Sequence, residues 1–326
     1  MAGGAIDPSH PIVFVVAFCC AATMGFSIQH GGTCMVAAVS QVINERRAGR
    51  ALALAECSLW VLALGLAATA AGLHYEASPG YPIGLGVLLG GALLGLGAWI
   101  NGACVFGSIA RIGTGDLHYL LTPPGFFLGS LFHASLADPV AMGFSPVPIS
   151  GPAILALLAM FAVSLLFSMR QSLAVRRSRS KISVLWTYRH ATIAIGIAFV
   201  VLSVAAGPWT YTEALAKAAH GKGLPGIDTI LLLAGLIGGA MLGGRRSAMA
   251  VPFALRRAIT CLGGGALMGL GGALVPGGND NLILAGLPWL QPHAWLAIAT
   301  MVLTIAAGLL VSSELRKMRL VGSSTG

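Results

Sequence analysis

Apolar residues gather into nine long runs, approximately 11–29, 51–73, 82–100, 119–136, 152–169, 191–207, 228–244, 259–275 and 292–312, separated by short polar stretches. A helix needs about 20 such residues to cross a bilayer, and several of these runs reach or fall just below that length. Shorter apolar pieces at 33–43, 104–112, 248–257 and 279–287 make up the shortfall, and the pattern predicts half-helices or re-entrant segments there. The fold class expected is therefore all-α. It is a polytopic membrane protein of about nine transmembrane helices plus short re-entrant half-helices, in two pseudo-symmetric halves.

Composition agrees. Charged residues are 9% of the chain and apolar ones 56%, against roughly 25% charged in a soluble domain. Glycine supplies 45 of 326 residues, which suits helices packed closely in a membrane. The formal charge of +9 does not describe a basic face. It lies in clusters at Arg46, Arg47 and Arg50, at Arg170, Arg176, Arg177, Arg179, Lys181 and Arg189, and at Arg316, Lys317 and Arg319. Nucleic acid is excluded as a partner on that ground.

Such clusters mark cytoplasmic loops, while 74–81 and 137–151 carry no Lys or Arg and should face outward. Counting crossings puts the N-terminus outside and the C-terminus in the cytoplasm of a bacterial inner membrane. One membrane domain is expected, with a first half 1–169, a basic cytoplasmic connector 170–190 and a second half 191–326. The first ten residues hold no Lys or Arg, so no cleavable secretory signal is expected.

No Asp, Glu, Lys or Arg occurs from Ala77 to Ala110, yet Asn101-Gly102-Ala103-Cys104 interrupts that run. Broken backbone at membrane depth persists only where protein buries it or a cavity meets it. The frame Gly95-Leu-Gly97 returns 174 residues later as Gly269-Leu-Gly271, which lays Cys104 on Gly278. A weaker match at 210 lays Arg46-Arg47 on Arg256-Arg257 and Cys34 on Gly244. Paired interruptions in two halves point to a substrate site between repeats.

The polar interruptions supply the candidate residues. Gln29, His30, Gly31, Gly32, Thr33 and Cys34 form the first, and Asn101, Gly102 and Cys104 the second. Gly277, Gly278, Asn279 and Asn281 form the third, with Asp280 read as a cap pointing into protein or as a proton-coupling acid. Gly243-Gly244-Arg245-Arg246 is the fourth, with its arginines placed at the inner surface. A helix starting at such a turn offers free amides and a positive dipole end to an anion. Two thiols suit a soft, sulfur-containing ligand better than a hard oxyanion. The alternatives are polar helix junctions and inert buried thiols.

Cys19, Cys20 and Cys57 read as packing, and Cys261 as an outside candidate. The GxxxG pairs Gly86/Gly90, Gly91/Gly95, Gly235/Gly239 and Gly265/Gly269 read as helix contact faces. Phosphate-loop, GxSxG and HExxH motifs are missing, as are CxxC and His spacings for metal. No catalytic residue, metal or cofactor is expected, and the chain is not read as an enzyme.

The stretches GFSIQHGGTC (25–34), GLGAWINGACVFGSIARIGTG (95–115) and GGALMGLGGALVPGGNDNLILAGLP (264–288) resemble the YeeE/YedE family of sulfur-transport membrane proteins, which includes thiosulfate permeases. The resemblance implies an hourglass fold in which thiosulfate passes inward through a narrow waist, touching thiols at Cys34 and Cys104 by transient S–H···S contacts. The second half departs from the family pattern, with Gly278-Asn279 and Gly244-Arg245 where further Gly-Cys turns are usual. Either two thiols and Asn donors suffice, or the substrate is another sulfur anion. The partners expected are that anion, the lipid bilayer and a cytoplasmic sulfur-accepting protein. Two other readings stay open: a membrane sulfur-relay protein or enzyme using Cys104 as a covalent persulfide carrier, and a permease for another small solute.

Overall fold

Lipid offers no hydrogen bonds to a bare backbone, so membrane-length segments must satisfy themselves as helices. The computed structural model, which describes residues 11–137, 159–166, 170, 188–221, 223–245 and 251–323, is built on that rule. Its helices in chain order are α1 (Pro11–Gly31), α2 (Met35–Glu45), α3 (Gly49–Ala70), α4 (Leu85–Asn101), α5 (Val105–Gly113) and, after a 3-10 turn at Leu117–Leu121, α6 (Thr122–Leu136). There follow α7 (Tyr188–Ala206), α8 (Tyr211–His220), α9 (Ile227–Gly244), α10 (Leu255–Leu274), the single turn α11 (Asn279–Asn281), which continues as a π-helical stretch at Leu282–Gly286, and α12 (Pro292–Ser323).

Among the described residues seven helical stretches are long and apolar enough to cross a membrane; the sequence pattern gives nine. The run at 119–136 is divided between the 3-10 turn and a 15-residue α6, too short to count. The run at 152–169 and the loop 137–151 lie mostly outside the described residues, as does most of the basic connector 170–190.

A correction concerns 248–257. No half-helix starts there among the described residues, because residues 251–254 are irregular and Leu255 opens the full-length α10. The fourth short helix is α8, which the sequence reading passed over.

Glycine lets the long helices touch backbone to backbone. Gly25 rests on the Leu236 backbone and Gly239 on that of Ala22, so α1 and α9 are clamped from both sides. Gly97 faces the Gly264 carbonyl and Gly271 the Gly90 carbonyl, joining α4 to α10. Gly125 and Gly129 meet the Leu262 and Ala266 carbonyls, seating α6 on α10. Of the GxxxG pairs, Gly91/Gly95, Gly235/Gly239 and Gly265/Gly269 all press on a neighbouring helix, whereas Gly86 only reaches Leu274 O at 4.0 Å.

An ion pair ties α3 to the start of α7, and Arg257 Nη2 of α10 pairs with Asp116 Oδ2 at 2.7 Å. Glu56 of α3 takes Arg189 Nε and Nη2, both at 2.6 Å, and Ser164 Oγ. Glu56 is 8% exposed, a depth at which an unpaired carboxylate is costly. Its partner lies at the end of the basic connector 170–190.

The short helices divide by direction. α2 and α5 run to the end where α3 begins: Arg50 N donates to Gln41 Oε1, and Gly113 packs on Gln29 and Ala240. α8 and the stretch after Asn279 run to the opposite end, where His220 meets His133 and Trp289 meets Tyr75.

Candidate functional site

Each short helix begins from the same local construction. A left-handed glycine breaks the preceding segment, at Gly32 (φ 56°), Gly102 (φ 75°), Gly207 (φ 88°) and Gly277 (φ 111°). Only glycine adopts this backbone without steric cost. One to three residues later an extended N-cap starts the helix: Cys34 for α2, Cys104 for α5, Thr210 for α8 and Gly278 for α11. Both cysteines therefore occupy cap positions, where Ser, Thr or Asp would ordinarily bond back to the helix. Neither thiol makes such a bond.

These starts meet in the interior. The Met35 amide, first in α2, donates to Cys104 Sγ at 3.1 Å, and Cys104 Sγ lies 3.8 Å from Cys34 Sγ. Val105 N, first in α5, donates to Asn279 Oδ1 at 3.4 Å. The two residues of that last pair are 174 apart, the shift of the stronger sequence repeat. Tyr211, first in α8, donates its hydroxyl to Val105 O at 3.0 Å. Gly107 allows the crowding, since a Cβ there would strike Cys34 Sγ.

Asp280 faces protein. It accepts from Thr212 N and Asn281 N and bonds the Thr212 hydroxyl, while Gly278 N donates to Thr212 Oγ1 at 3.0 Å. This carboxylate ties the third interruption to α8.

Two cavities flank the waist. One, of about 480 Å³, reaches from Cys34, Gly102 and Gly107 to Arg50 and Arg111, and includes Gln29 and Ser40. No carboxylate lines it among the described residues. The other, of about 240 Å³, lies toward the opposite end between Tyr81, Glu213, Lys217, His220 and the Pro276-Gly277 turn. Between them Cys104 and Asn279 are fully buried, and Cys34 is 9% exposed.

The structure sorts the candidates. Cys34, Cys104 and Asn279 come together; Gly31, Gly32 and Gly102 build the turns beside them. Three turn amides are occupied: Gly32 N and Thr33 N donate to Gln29 O and Ile28 O, and Gly102 N to Trp99 O. They close the preceding helices in the manner of a left-handed C-cap.

The Asn101 amide is spent on Ala103 O and Ser108 Oγ, and its oxygen takes the Thr122 hydroxyl. Asn281 Nδ2 holds Pro276 O. Thr33 is buried, with Oγ1 lacking a bond. His30 lies on the exposed side, stacked on Phe26 at 5.5 Å, away from the thiols. Gly277 and Gly278 shape the third turn, whereas Gly244 closes α9, and the segment 246–250 on which the repeat at 210 bears lies outside the described residues. Arg246 is outside the described residues.

Thr210, Tyr211 and Thr212 were missed, although the capping box Thr210-x-x-Glu213 marks their helix. Cys20, Cys57 and Cys261 are buried in helices and Cys19 is exposed; none touches the thiol pair.

A family model described as sulphur transport matches residues 30–307, from the first glycine turn into α12. The chain belongs to this sulphur-transport, YeeE/YedE, family. No curated protein matches it. Together with seven membrane-length helices, family membership makes it a multi-pass, sulfur-related membrane transporter. In this sulphur-transport protein the matched segment contains all four short helices.

Proposed function

We propose that the protein is a bacterial inner-membrane permease that imports thiosulfate or a closely related small inorganic sulfur anion. The observation carrying this reading is the thiol pair, 3.8 Å apart, at the meeting of helix starts between two cavities. Soft sulfur donors suit the terminal sulfur of thiosulfate, and the first-turn ends of α2 and α5 add a positive field for its charge.

The arginine-lined cavity is the cytoplasmic vestibule, because Arg46, Arg47 and Arg50 lie at that end and positive loops stay inside. This orientation places the N-terminus outside and the C-terminus in the cytoplasm, where a sulfur-accepting protein would meet the released anion. The two halves form an inverted repeat: α8 begins 176 residues after α2, and α11 174 after α5, and the members of each pair run to opposite ends. The waist is where the repeats meet.

Uptake of labelled thiosulfate into proteoliposomes tests this. Cys104→Ala should abolish uptake while the protein still purifies folded; unchanged uptake would refute the thiol role.

A further inference from the structure

Three asparagines stand at the waist, and hydrogen bonding separates them. The donors of Asn101 and Asn281 are used inside the protein. Asn279 differs. Its oxygen is held by Val105 N–H, which fixes the carboxamide orientation, since the opposite flip would set two N–H donors against each other. Its Nδ2 is then a donor with no partner, on a residue with 0% exposure. A buried donor left unmatched is rare and calls for a cause such as a missing ligand. The side chain sits one peptide from Cys104, on the side of the waist away from the arginine-lined cavity.

We infer that Asn279 reads the oxygen end of the transported ion while Cys34 and Cys104 read its sulfur end. This rests on the permease reading above and names the class of ion: a tetrahedral sulfur centre carrying both oxygens and a terminal sulfur. An amide N–H donates well to a charged oxygen, whereas a thiol is a weak donor and a soft, polarisable neighbour. Two thiols and one amide therefore make a site with distinguishable ends. Thiosulfate satisfies both ends, and sulfite, which has oxygens alone, satisfies only one.

The test is thermal stabilisation of the detergent-purified full chain, titrated separately with thiosulfate and sulfite, because a ligand bound to the folded state raises its melting temperature. The wild type should be stabilised at a lower concentration of thiosulfate than of sulfite. In Cys34→Ala the thiosulfate titration should move to the sulfite range, with sulfite unchanged. In Asn279→Ala both titrations should move to roughly tenfold higher concentration or more, as loss of a hydrogen bond to a charged group predicts.

Asn279→Asp keeps the acceptor for Val105 N, so its fold is protected, and it should lose both anions too. Their melting temperatures without ligand report folding directly. Wild-type titrations in both Asn279 variants would overturn the inference and leave the permease reading standing. Loss of sulfite in Cys34→Ala would overturn the assignment of ends. A wild type that binds neither anion would overturn the permease reading and this inference with it.

Discussion

At Gly107 a single missing side chain decides whether the waist can exist. A methyl group there would overlap Cys34 Sγ, and overpacking a tight interior commonly costs about 1–3 kcal/mol. Gly107→Ala should push the Cys34 thiol off its 3.8 Å approach to Cys104 and reduce thiosulfate uptake by roughly tenfold or more at normal membrane levels. Initial-rate uptake against Western quantification checks it. The two cysteine turns were legible because Gly next to a thiol, inside an uncharged run, has few other uses. The different fates of Asn101 and Asn279 were not legible. A carboxamide is equally able to donate to its own turn or to a ligand, and only the position of Ser108 and Val105 settles which.

The element the sequence reading lost was α8, and its loss has a physical reason. Its ten residues include Glu213, Lys217 and His220, so no apolar run marks it. The Gly207-Pro208 break reads as the end of the run 191–207, although it prepares the next cap as Gly32 and Gly102 do. Thr210 accepts a bond from Glu213 N, and a lost Thr cap usually costs about 1 kcal/mol. Thr210→Ala should therefore destabilise the protein by about that amount and loosen Tyr211 from Val105 O. A lowered melting temperature, with greater hydrogen exchange confined to 210–220, would show it. Conversely, 248–257 reads as a half-helix because its apolar run is short and lies beside a longer one. In the folded chain its last residues, from Leu255, open a full-length helix whose glycines seat α4 and α6.

For the whole molecule, the unequal cavities describe a protein open toward its arginines and shut on the other side at Cys104 and Asn279. A small membrane-impermeant thiol reagent should label Cys34 from the cytoplasmic face, in inside-out vesicles, and leave it unlabelled in right-side-out vesicles. Cys104, with no exposure, should react slowly from either face. Labelling of Cys34 from the outer face alone would reverse the orientation.

Apolar run length and charge clusters were enough to read helices in a membrane, because lipid penalises every other backbone and every unpaired charge. They were enough, too, to locate three of the four broken turns. Which short helices point which way, and which amide keeps a free hydrogen, depended on packing. The meeting of the two thiols and the hold of Val105 on Asn279 come from contacts between residues 70 and 174 positions apart, and no local pattern along a chain encodes the partner at that distance.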